Sequence, residues 1–399
     1  MGKPAEILAI GDEITSGQLL DTNTQWLSLR LEELGLRVLY HATVGDELEP
    51  IAAAFRQAIA RSRLVLVTGG LGPTADDLTR DALALATGRS LVLDAEALEY
   101  IRGLFARRNR PMPEQNERQA LFPAGSRVVP NPHGTAPGID LEVSGPAGVC
   151  RIIVLPGVPA EMKEMWHGTV ARSLADLGEG KTVRHRRIKC FGAGESQVEA
   201  MLPDLIRRGR EPRVGITAVQ TSIVLRITAE GSNDSECLAA MVPTAEIIYQ
   251  CLGDLIYGEA DDELQDVVLR RLRNEGKTLA VGEWGTGGML ADWLAAAPDG
   301  RGAFLGGLLV GSPAAFERLC GSEDHRDKPG ARLAAKARDQ FSADYALGVG
   351  PFMENEKQTV EIAVAGPSGT IVKEVPFSFH PAVRRVYCAK HAINLLRLG

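Results

Sequence analysis

Short apolar runs alternate with amphipathic segments over residues 4–170, and this alternation predicts strands separated by helices. Ala5–Ile10 is one such run and ends in Gly11-Asp12-Glu13. Asn23 can cap a helix that reaches Leu34, with Trp26, Leu29, Leu31 and Leu34 as core contacts and Gly35 as its stop. Leu36–Thr43 predicts a second strand and Pro50–Arg61 a second helix. Leu64–Thr68 is apolar throughout, as a strand covered on both faces requires. Glycines follow it, then a helix from about Thr79. Arg151–Leu155 predicts a further strand, leading through Pro156-Gly157-Val158-Pro159 into a helix over Ala160–Leu177. This order implies βαβ units and a three-layer α/β domain built on a parallel sheet, spanning residues 1–175.

The pattern changes over residues 176–258. Arg184–Phe191 alternates as a strand, Glu195–Leu205 is helical, and Ser222–Glu230 places Ile223, Leu225 and Ile227 on one strand face. Cys237–Leu252 closes a small α+β domain as a helix. The acidic segment Glu259–Glu263 reads as a linker into a third, α/β domain over residues 259–399. There Leu264–Arg273 predicts a helix, Thr278–Val281 a strand, and Gly288–Ala297 the following helix. Ala303–Val310 and Thr359–Ala365 predict further strands; Ala331–Phe341 and Pro381–Leu398 predict helices.

Composition narrows the functional classes. The 399 residues are 45% apolar and 24% charged with 43 glycines, which fits a turn-rich globular protein. A net charge of −7 argues against general affinity for nucleic acid. The six cysteines form no C-x-x-C pair, so neither a zinc nor a redox motif follows, and buried thiols in a reducing cytoplasm are expected. No apolar stretch approaches the roughly 18 residues of a membrane span, so a cytoplasmic protein without membrane association is expected.

Candidate chemistry gathers in two loops of the first domain. Gly11-Asp12-Glu13-Ile14-Thr15-Ser16-Gly17 follows the first strand, with Asp21-Thr22-Asn23 opening the next helix. Gly69-Gly70-Leu71-Gly72-Pro73-Thr74-Ala75-Asp76-Asp77-Leu78-Thr79 leaves the buried Leu64–Thr68 strand and enters a helix. In an open parallel sheet, ligands bind at the carboxyl ends of strands, where both loops lie. Glycines let backbone N–H groups approach an anion, which predicts a phosphate cradle distinct from the Walker loop, since no Gly-Lys-Ser/Thr follows.

The same cradle is acidic, with Asp12, Glu13, Asp21, Asp76 and Asp77. Two unit charges roughly 4 Å apart repel by about 1 kcal/mol in water and about 4 kcal/mol at an effective dielectric near 20. Carboxylates facing phosphates therefore need a cation, and their hard oxygens suit Mg²⁺, Mn²⁺ or a similar divalent ion. Taken singly, Asp21, Asn23, Asp77 and Thr79 read equally well as helix caps.

Gly-Gly-x-Gly-Pro-Thr-x-Asp-Asp-x-Thr after a buried strand resembles the molybdopterin-binding (MoCF-type) fold shared by molybdenum-cofactor proteins and the CinA (competence/damage-inducible) family. Asn131-Pro132-His133-Gly134-Thr135-Ala136-Pro137-Gly138 and Leu155-Pro156-Gly157-Val158-Pro159-Ala160-Glu161-Met162 also look like CinA segments in their expected order. Residues 176–258 resemble its KH-like middle domain, although the G-x-x-G clamp of nucleic-acid-binding KH modules does not stand out. The resemblance implies divalent-metal-dependent hydrolysis of a nucleotide pyrophosphate such as ADP-ribose, with Mg²⁺, Mn²⁺ or Co²⁺.

In that reading Gly69, Gly70, Gly72 and Thr74 hold a phosphate, with Ser16 and Thr79 nearby. Asp76 or Asp77, with Asp12 or Glu13, holds the metal and serves catalysis. His133 with Gly134, Lys163, and Asn116 with Arg118 are further candidates for ligand contact or charge stabilisation. The alternative is a non-catalytic scaffold for a molybdopterin-like or nucleotide ligand, linked to competence or DNA damage. A homo-oligomer, such as a dimer, is expected.

The third domain departs from the family's pattern. Its resemblance implies an amidase acting on nicotinamide mononucleotide, with the serine in a Glu-Ser-Cys-Thr-Gly-Gly turn. Residues 283–288 read Glu-Trp-Gly-Thr-Gly-Gly, so Trp284 replaces the serine and Gly285 the cysteine. An indole is no nucleophile. The family's Gly-Gly-x-x-x-Tyr-Ser-Asn-x-x-Lys becomes a run in which Gly311 stands at the tyrosine and Phe316 at the lysine. A third loop, usually Thr-Gly-x-Ala-Gly-Pro, reads Val349-Gly350-Pro351-Phe352-Met353-Glu354. Ser312 and Thr286 are the remaining hydroxyls near the site, and neither has an evident base. The expectation is a folded, inactive domain whose pocket Trp284 fills.

Overall fold

The computed structural model describes residues 4–146, 148–174, 177, 182–202, 204–207, 209–321, 328–353, 358–377 and 380–399. Two compact units are present: Met1–Arg184 with Glu230–Cys237, and His185–Ala229 with Leu238–Gly399.

The first unit holds strands β1 (Ala5–Ile10), β2 (Val38–Val44), β3 (Leu64–Thr68) and a short β4–β5 ribbon (Leu91–Leu93 with Leu121–Pro123). Strands β6 (Arg127–Val129), β7 (Gly138–Gly145) and β8 (Gly148–Leu155) follow. The six-stranded sheet runs β2-β1-β3-β8-β7-β6. Its first four strands are parallel, and β7 runs antiparallel to both β8 and β6. The expected parallel sheet is thus extended by an antiparallel pair, which the sequence reading left unassigned.

Alternate residues of the central strands feed two separate cores, as period-two side-chain geometry requires. Leu8, Val65, Val67, Ile152 and Val154 pack on one face against Ile51, Phe55 and Leu83. Ile7, Leu64, Leu66, Ile153 and Leu155 pack on the other against Leu27, Leu31, Met162 and Trp166. Both faces are covered, which explains the unbroken apolar run of β3. Glu6 is a buried charge in this unit: 1% exposed, it accepts bonds from Arg61 at 2.9 and 2.6 Å and from Ser62 at 3.0 Å.

The second unit carries two sheets. Strands β9 (Thr182–Cys190), β10 (Arg213–Val219), β11 (Ser222–Gly231) and β12 (Ile256–Glu259) lie in the order β10-β11-β9-β12. The basic run of β9 faces the acidic segment after β12: Arg186 pairs with Glu259 at 2.6 Å, Arg187 with Asp261 at 2.8 Å and Lys189 with Glu263 at 2.7 Å. The other sheet runs β14-β13-β15-β16-β17, built from β13 (Leu279–Glu283), β14 (Phe304–Leu309), β15 (Tyr345–Met353), β16 (Thr359–Gly366) and β17 (Gly369–Pro376). Strand β13 is parallel to β14 and β15, and β15, β16 and β17 form an antiparallel meander. Among the described residues no helix is long and apolar enough to cross a membrane.

Leu66 is fully buried at the middle of β3. Leu66→Ala is expected to lower stability by about 2–5 kcal/mol through lost burial and the cavity left behind. Urea unfolding followed by circular dichroism checks this, and an unchanged midpoint would mean that β3 does not hold the two layers together.

Candidate functional site

The order β2-β1-β3 makes the junction of β1 and β3 the point where the sheet's connections diverge, and a crevice is expected at their carboxyl ends. A cavity of about 410 Å³ opens there. Gly69, Gly70 and Gly72 line it from the loop after β3, Gly11 and Glu13 from the loop after β1, and Pro156, Gly157 and Glu161 from the segment after β8.

Backbone proximity builds this junction. A Cβ on Gly69 would stand 2.1 Å from the Ile10 carbonyl, and one on Gly70 would stand 2.1 Å from the Thr79 hydroxyl. Both residues have positive φ, at 107° and 63°. Thr68 donates to the Pro156 carbonyl at 3.1 Å, while Asn23 donates to Thr68 Oγ1 at 3.0 Å and to the Gly157 carbonyl at 2.8 Å. The family-like segments after β3 and β8 are thereby locked side by side.

Hydrogen bonds engage the loop's carbonyls. Thr79 donates to the Gly69 carbonyl through its hydroxyl at 2.9 Å and to the Gly70 carbonyl through its N–H at 3.3 Å. Arg80 and Gln119 donate to the Leu71 carbonyl at 2.8 and 3.3 Å. Arg118 donates to the carbonyls of Thr74 at 2.6 Å and Asp77 at 3.3 Å. Asp77 closes the loop from within, accepting from the N–H groups of Gly72 at 2.7 Å and Thr74 at 2.9 Å and from the Thr74 hydroxyl.

Asp77 was expected as a metal ligand, and both its oxygens are instead engaged by the loop. It lines the cavity as a clasp. Asp76 is exposed on the rim, and the Thr74 side chain and its own backbone hold its carboxyl below the ordinary aspartate range. Asp12 sits beside the cavity in a reciprocal pair with Asp46: each backbone N–H donates to the other's carboxylate, at 2.8 and 3.0 Å.

Asp46 and Glu161 are wall residues that sequence reasoning did not single out. Burial raises the Asp46 pKa, and the charges of Asp12, Glu13 and Asp76 raise it further, against the lowering bond from the Asp12 backbone. Its signal was present as Val44-Gly45-Asp46 directly after β2. Glu161 is held by Asn131, whose amide donates at 2.8 Å, and a Cβ on Gly134 would stand 2.1 Å from the same carboxylate. Gly134 thus shapes the wall without lining it.

Other candidates lie outside the cavity wall. Thr74 and Thr79 build the loop, as above. Asn116 is buried and donates to Gln119 at 2.8 Å, which makes it a support behind the loop. His133 is exposed and pairs with Glu164 at 3.2 Å. Lys163 stands 5.8 Å from the Trp26 ring, and Ser16 lies in the exposed turn after residues 12–15.

The oxygen-rich wall suits a hard divalent cation in chemistry. Among the described residues, however, no three His, Cys, Asp or Glu side chains are gathered as a cation cage.

The altered turn of the second unit is equally well defined. Trp284 stacks on Phe316 with ring centroids 5.3 Å apart, and the Arg332 guanidinium lies 5.0 Å from the Phe316 ring. Val310 and Leu333 complete this cluster, and Phe316 is 2% exposed. Thr286 is fully buried and donates to Glu283 at 2.7 Å; Glu283 also accepts from the N–H groups of Leu290 at 3.0 Å and Ala291 at 2.8 Å. Ser312 caps helix Pro313–Cys320 by accepting from the Ala315 N–H at 3.2 Å. Both remaining hydroxyls are therefore helix-bracing groups. Gly311 faces open space, whereas a Cβ on Gly285 would lie 2.8 Å from the Gly350 carbonyl. Val349–Met353 continues β15, and Glu354 lies outside the described residues.

Comparison with known proteins gives three family matches in order. Residues 6–176 match the family described as a probable molybdopterin binding domain, 185–258 the damage-inducible protein CinA KH domain, and 261–398 the CinA C-terminal domain. A competence-damage inducible protein of Alkaliphilus metalliredigens is 36% identical over 92% of this chain and 87% of its own. A CinA-like protein of Solibacter usitatus is 34% identical over 98% of this chain and 97% of its own. The solved structure of a CinA protein of Thermoplasma acidophilum covers 44% of this chain and 98% of its own at 32% identity, with a TM-score of 0.39.

The two kinds of aspartate separate by experiment. Asp77→Ala is expected to lower the stability of the ligand-free protein by about 1–3 kcal/mol, because the loop N–H groups lose their acceptor. For Asp46, folding raises the pKa, so its ionisation opposes the fold above that value and imposes nothing below the ordinary 3.8. Asp46→Asn should therefore leave the metal-free protein as stable or more stable at pH 7, with the gain fading as pH falls towards 3.8. Thermal melts across pH in the presence of a chelator check both, and the reverse pattern would exchange the two roles.

Proposed function

Because this chain belongs to the CinA (competence/damage-inducible) family, we propose that its first unit hydrolyses a nucleotide pyrophosphate such as ADP-ribose with a divalent cation. The observation that carries the reading is the loop Gly69–Asp77, whose carbonyls are engaged by hydrogen bonds and which, with its own Asp76, lines one cavity together with the carboxylates of Glu13 and Asp46. A cavity of about 410 Å³ lies within the range of small-ligand sites.

In this reading the backbone of Gly69, Gly70 and Gly72 seats one phosphate, with Asp77 keeping the loop in shape. One or two of the carboxylates of Glu13, Asp46 and Asp76 would hold Mg²⁺, Mn²⁺ or Co²⁺ together with the ligand's own oxygens. When bound, such an ion neutralises phosphate charge and acidifies a water molecule. Asp46, whose pKa burial raises, would be a candidate base on the same wall when it does not itself hold the ion. Glu161 faces the far part of the ligand.

The alternative, a non-catalytic nucleotide- or molybdopterin-binding scaffold, draws on one observation: no three ligating side chains converge among the described residues. The second unit serves as an inactive amidase-like domain, since Trp284 and Phe316 stack where the reacting groups would lie. Direct nucleic-acid binding is not expected, a reading supported by the pairing of Arg186, Arg187 and Lys189 of β9 with Glu259, Asp261 and Glu263. A homo-oligomer in the cytoplasm is the expected working form.

AMP release from ADP-ribose, measured with Mg²⁺, Mn²⁺, Co²⁺ or chelator, tests the reading. Metal-dependent release is expected, with a loss of at least about 100-fold in Asp46→Asn or Asp76→Asn. Ligand-induced stabilisation without product would favour the scaffold. Ammonia release from nicotinamide mononucleotide should be absent, and measurable turnover by the unaltered chain would overturn the assignment of the second unit.

A further inference from the structure

Arg80 is the buried charge that the proposed reaction leaves unused. It is 2% exposed and follows Thr79 at the start of helix Thr79–Thr87, behind the glycine loop. Its Nη2 donates to the Leu71 carbonyl at 2.8 Å, while Nε and Nη1 have no protein partner. Burial pulls its pKa down to about 10, with Asp77 and Asp81 opposing that shift, so it remains cationic at neutral pH.

A buried guanidinium with one hydrogen bond is costly, and an apolar side chain of similar volume would usually serve packing better. The nearby carboxylates are already engaged: Asp81 pairs with Arg118 at 3.2 Å and Asp77 clasps the loop. The Nε and Nη1 donors of Arg80 are therefore left without an acceptor beside the loop, while the cavity wall presents Glu13, Asp46, Asp76 and Glu161. A phosphate entering from the front meets like charges at the rim and needs a fixed opposite charge at the floor.

We propose that Arg80 is the built-in counter-charge of the phosphate seat, a positioning residue that holds Leu71 and lets the loop bind a phosphate group without a divalent cation. The inference rests on the phosphate-seat reading above, and not on hydrolysis. The cation then serves the chemical step and the rim carboxylates, and the loop supplies the first recognition of the nucleotide.

Calorimetric binding of AMP and of adenosine to the full chain in chelator tests this, with Arg80→Gln and Arg80→Lys as variants. Glutamine keeps a donor for the Leu71 carbonyl and removes the charge; lysine keeps the charge. Unaltered protein should prefer AMP over adenosine. Arg80→Gln should raise the Kd for AMP by about tenfold and leave adenosine unchanged, while Arg80→Lys stays within about threefold. A strut without an electrostatic role predicts equal AMP affinity in Arg80→Gln, and that result would overturn the proposal. So would unaltered protein that fails to distinguish AMP from adenosine in chelator.

If the variants do not fold, inorganic phosphate supplies the readout on the unaltered chain: its Tm in chelator should rise with phosphate concentration, and no rise would overturn the proposal. ADP-ribose turnover separates the two readings. Metal-free AMP binding lost in Arg80→Gln, without any hydrolysis, would remove the pyrophosphatase and keep the counter-charge. Hydrolysis with AMP affinity unchanged in Arg80→Gln would do the opposite.

Discussion

The close approach of Gly69 to the Ile10 carbonyl is the constraint from which the first unit's site follows. A Cβ there would stand 2.1 Å from that oxygen, so the loops after β1 and β3 can meet only if this residue has no side chain. Gly69 also accepts its neighbours in register: its N–H donates to the Leu155 carbonyl at 3.1 Å, and a Cβ on Gly157 would touch its Cα at 3.4 Å. Three strand ends are thus drawn together at one residue. Everything that reaches the cavity, from the rim carboxylates of one loop to Glu161 of another, is placed by this convergence.

A second consequence is a separation of charge across the loop. The loop's carbonyls are occupied because Thr79, Arg80, Arg118 and Gln119 donate to them, Gln119 from the cavity wall itself. Carboxylates line the cavity, and burial, with the charges of Asp12, Glu13 and Asp76 added to it, raises the Asp46 pKa. Such an arrangement is poor for stability by itself, since buried or crowded like charges oppose folding. It is well matched to a ligand that carries both an anion and a cation, because each then finds its opposite sign in place.

The framework of this fold was legible because β1 and β3 are short runs buried throughout and the helix Leu48–Arg61 carries a clear apolar face. Residues 88–150 were not, since β4, β5 and β6 have three residues each and β7 alternates polar and apolar positions without a flanking helix. The loop motif pointed to a ligand loop, but not to which of its aspartates clasps it from within. Asp76 and Asp77 are adjacent in sequence and differ only in which finds the Gly72 and Thr74 N–H groups, a matter of loop conformation. Asp46 went unread because a lone aspartate after a strand is ordinary in sequence, and its partnership with Asp12 spans 34 residues. Arg80 was hidden for the opposite reason: a helix's second residue is normally solvated, and only tertiary packing buries it.

In the second unit, the parts of the turn that survive are those the fold needs for itself. Glu283 and Thr286 fasten the start of helix Met289–Ala296 by three hydrogen bonds, and removing either would leave buried polar groups unpaired. Trp284 and Gly285 carry no such duty, and there the chain has changed. The changes have since become mutually dependent. Trp284 stacks on Phe316, and Phe352 in the continued β15 lies 3.4 Å from where a Cβ on Gly285 would stand, with the Gly350 carbonyl at 2.8 Å. A serine restored at residue 284 would face an apolar stack without its partner ring, and a cysteine at 285 would meet backbone. The altered turn is therefore a packed solution in its own right, held by apolar contact where the family's pattern relies on polar groups, and a return to that pattern requires several coordinated substitutions.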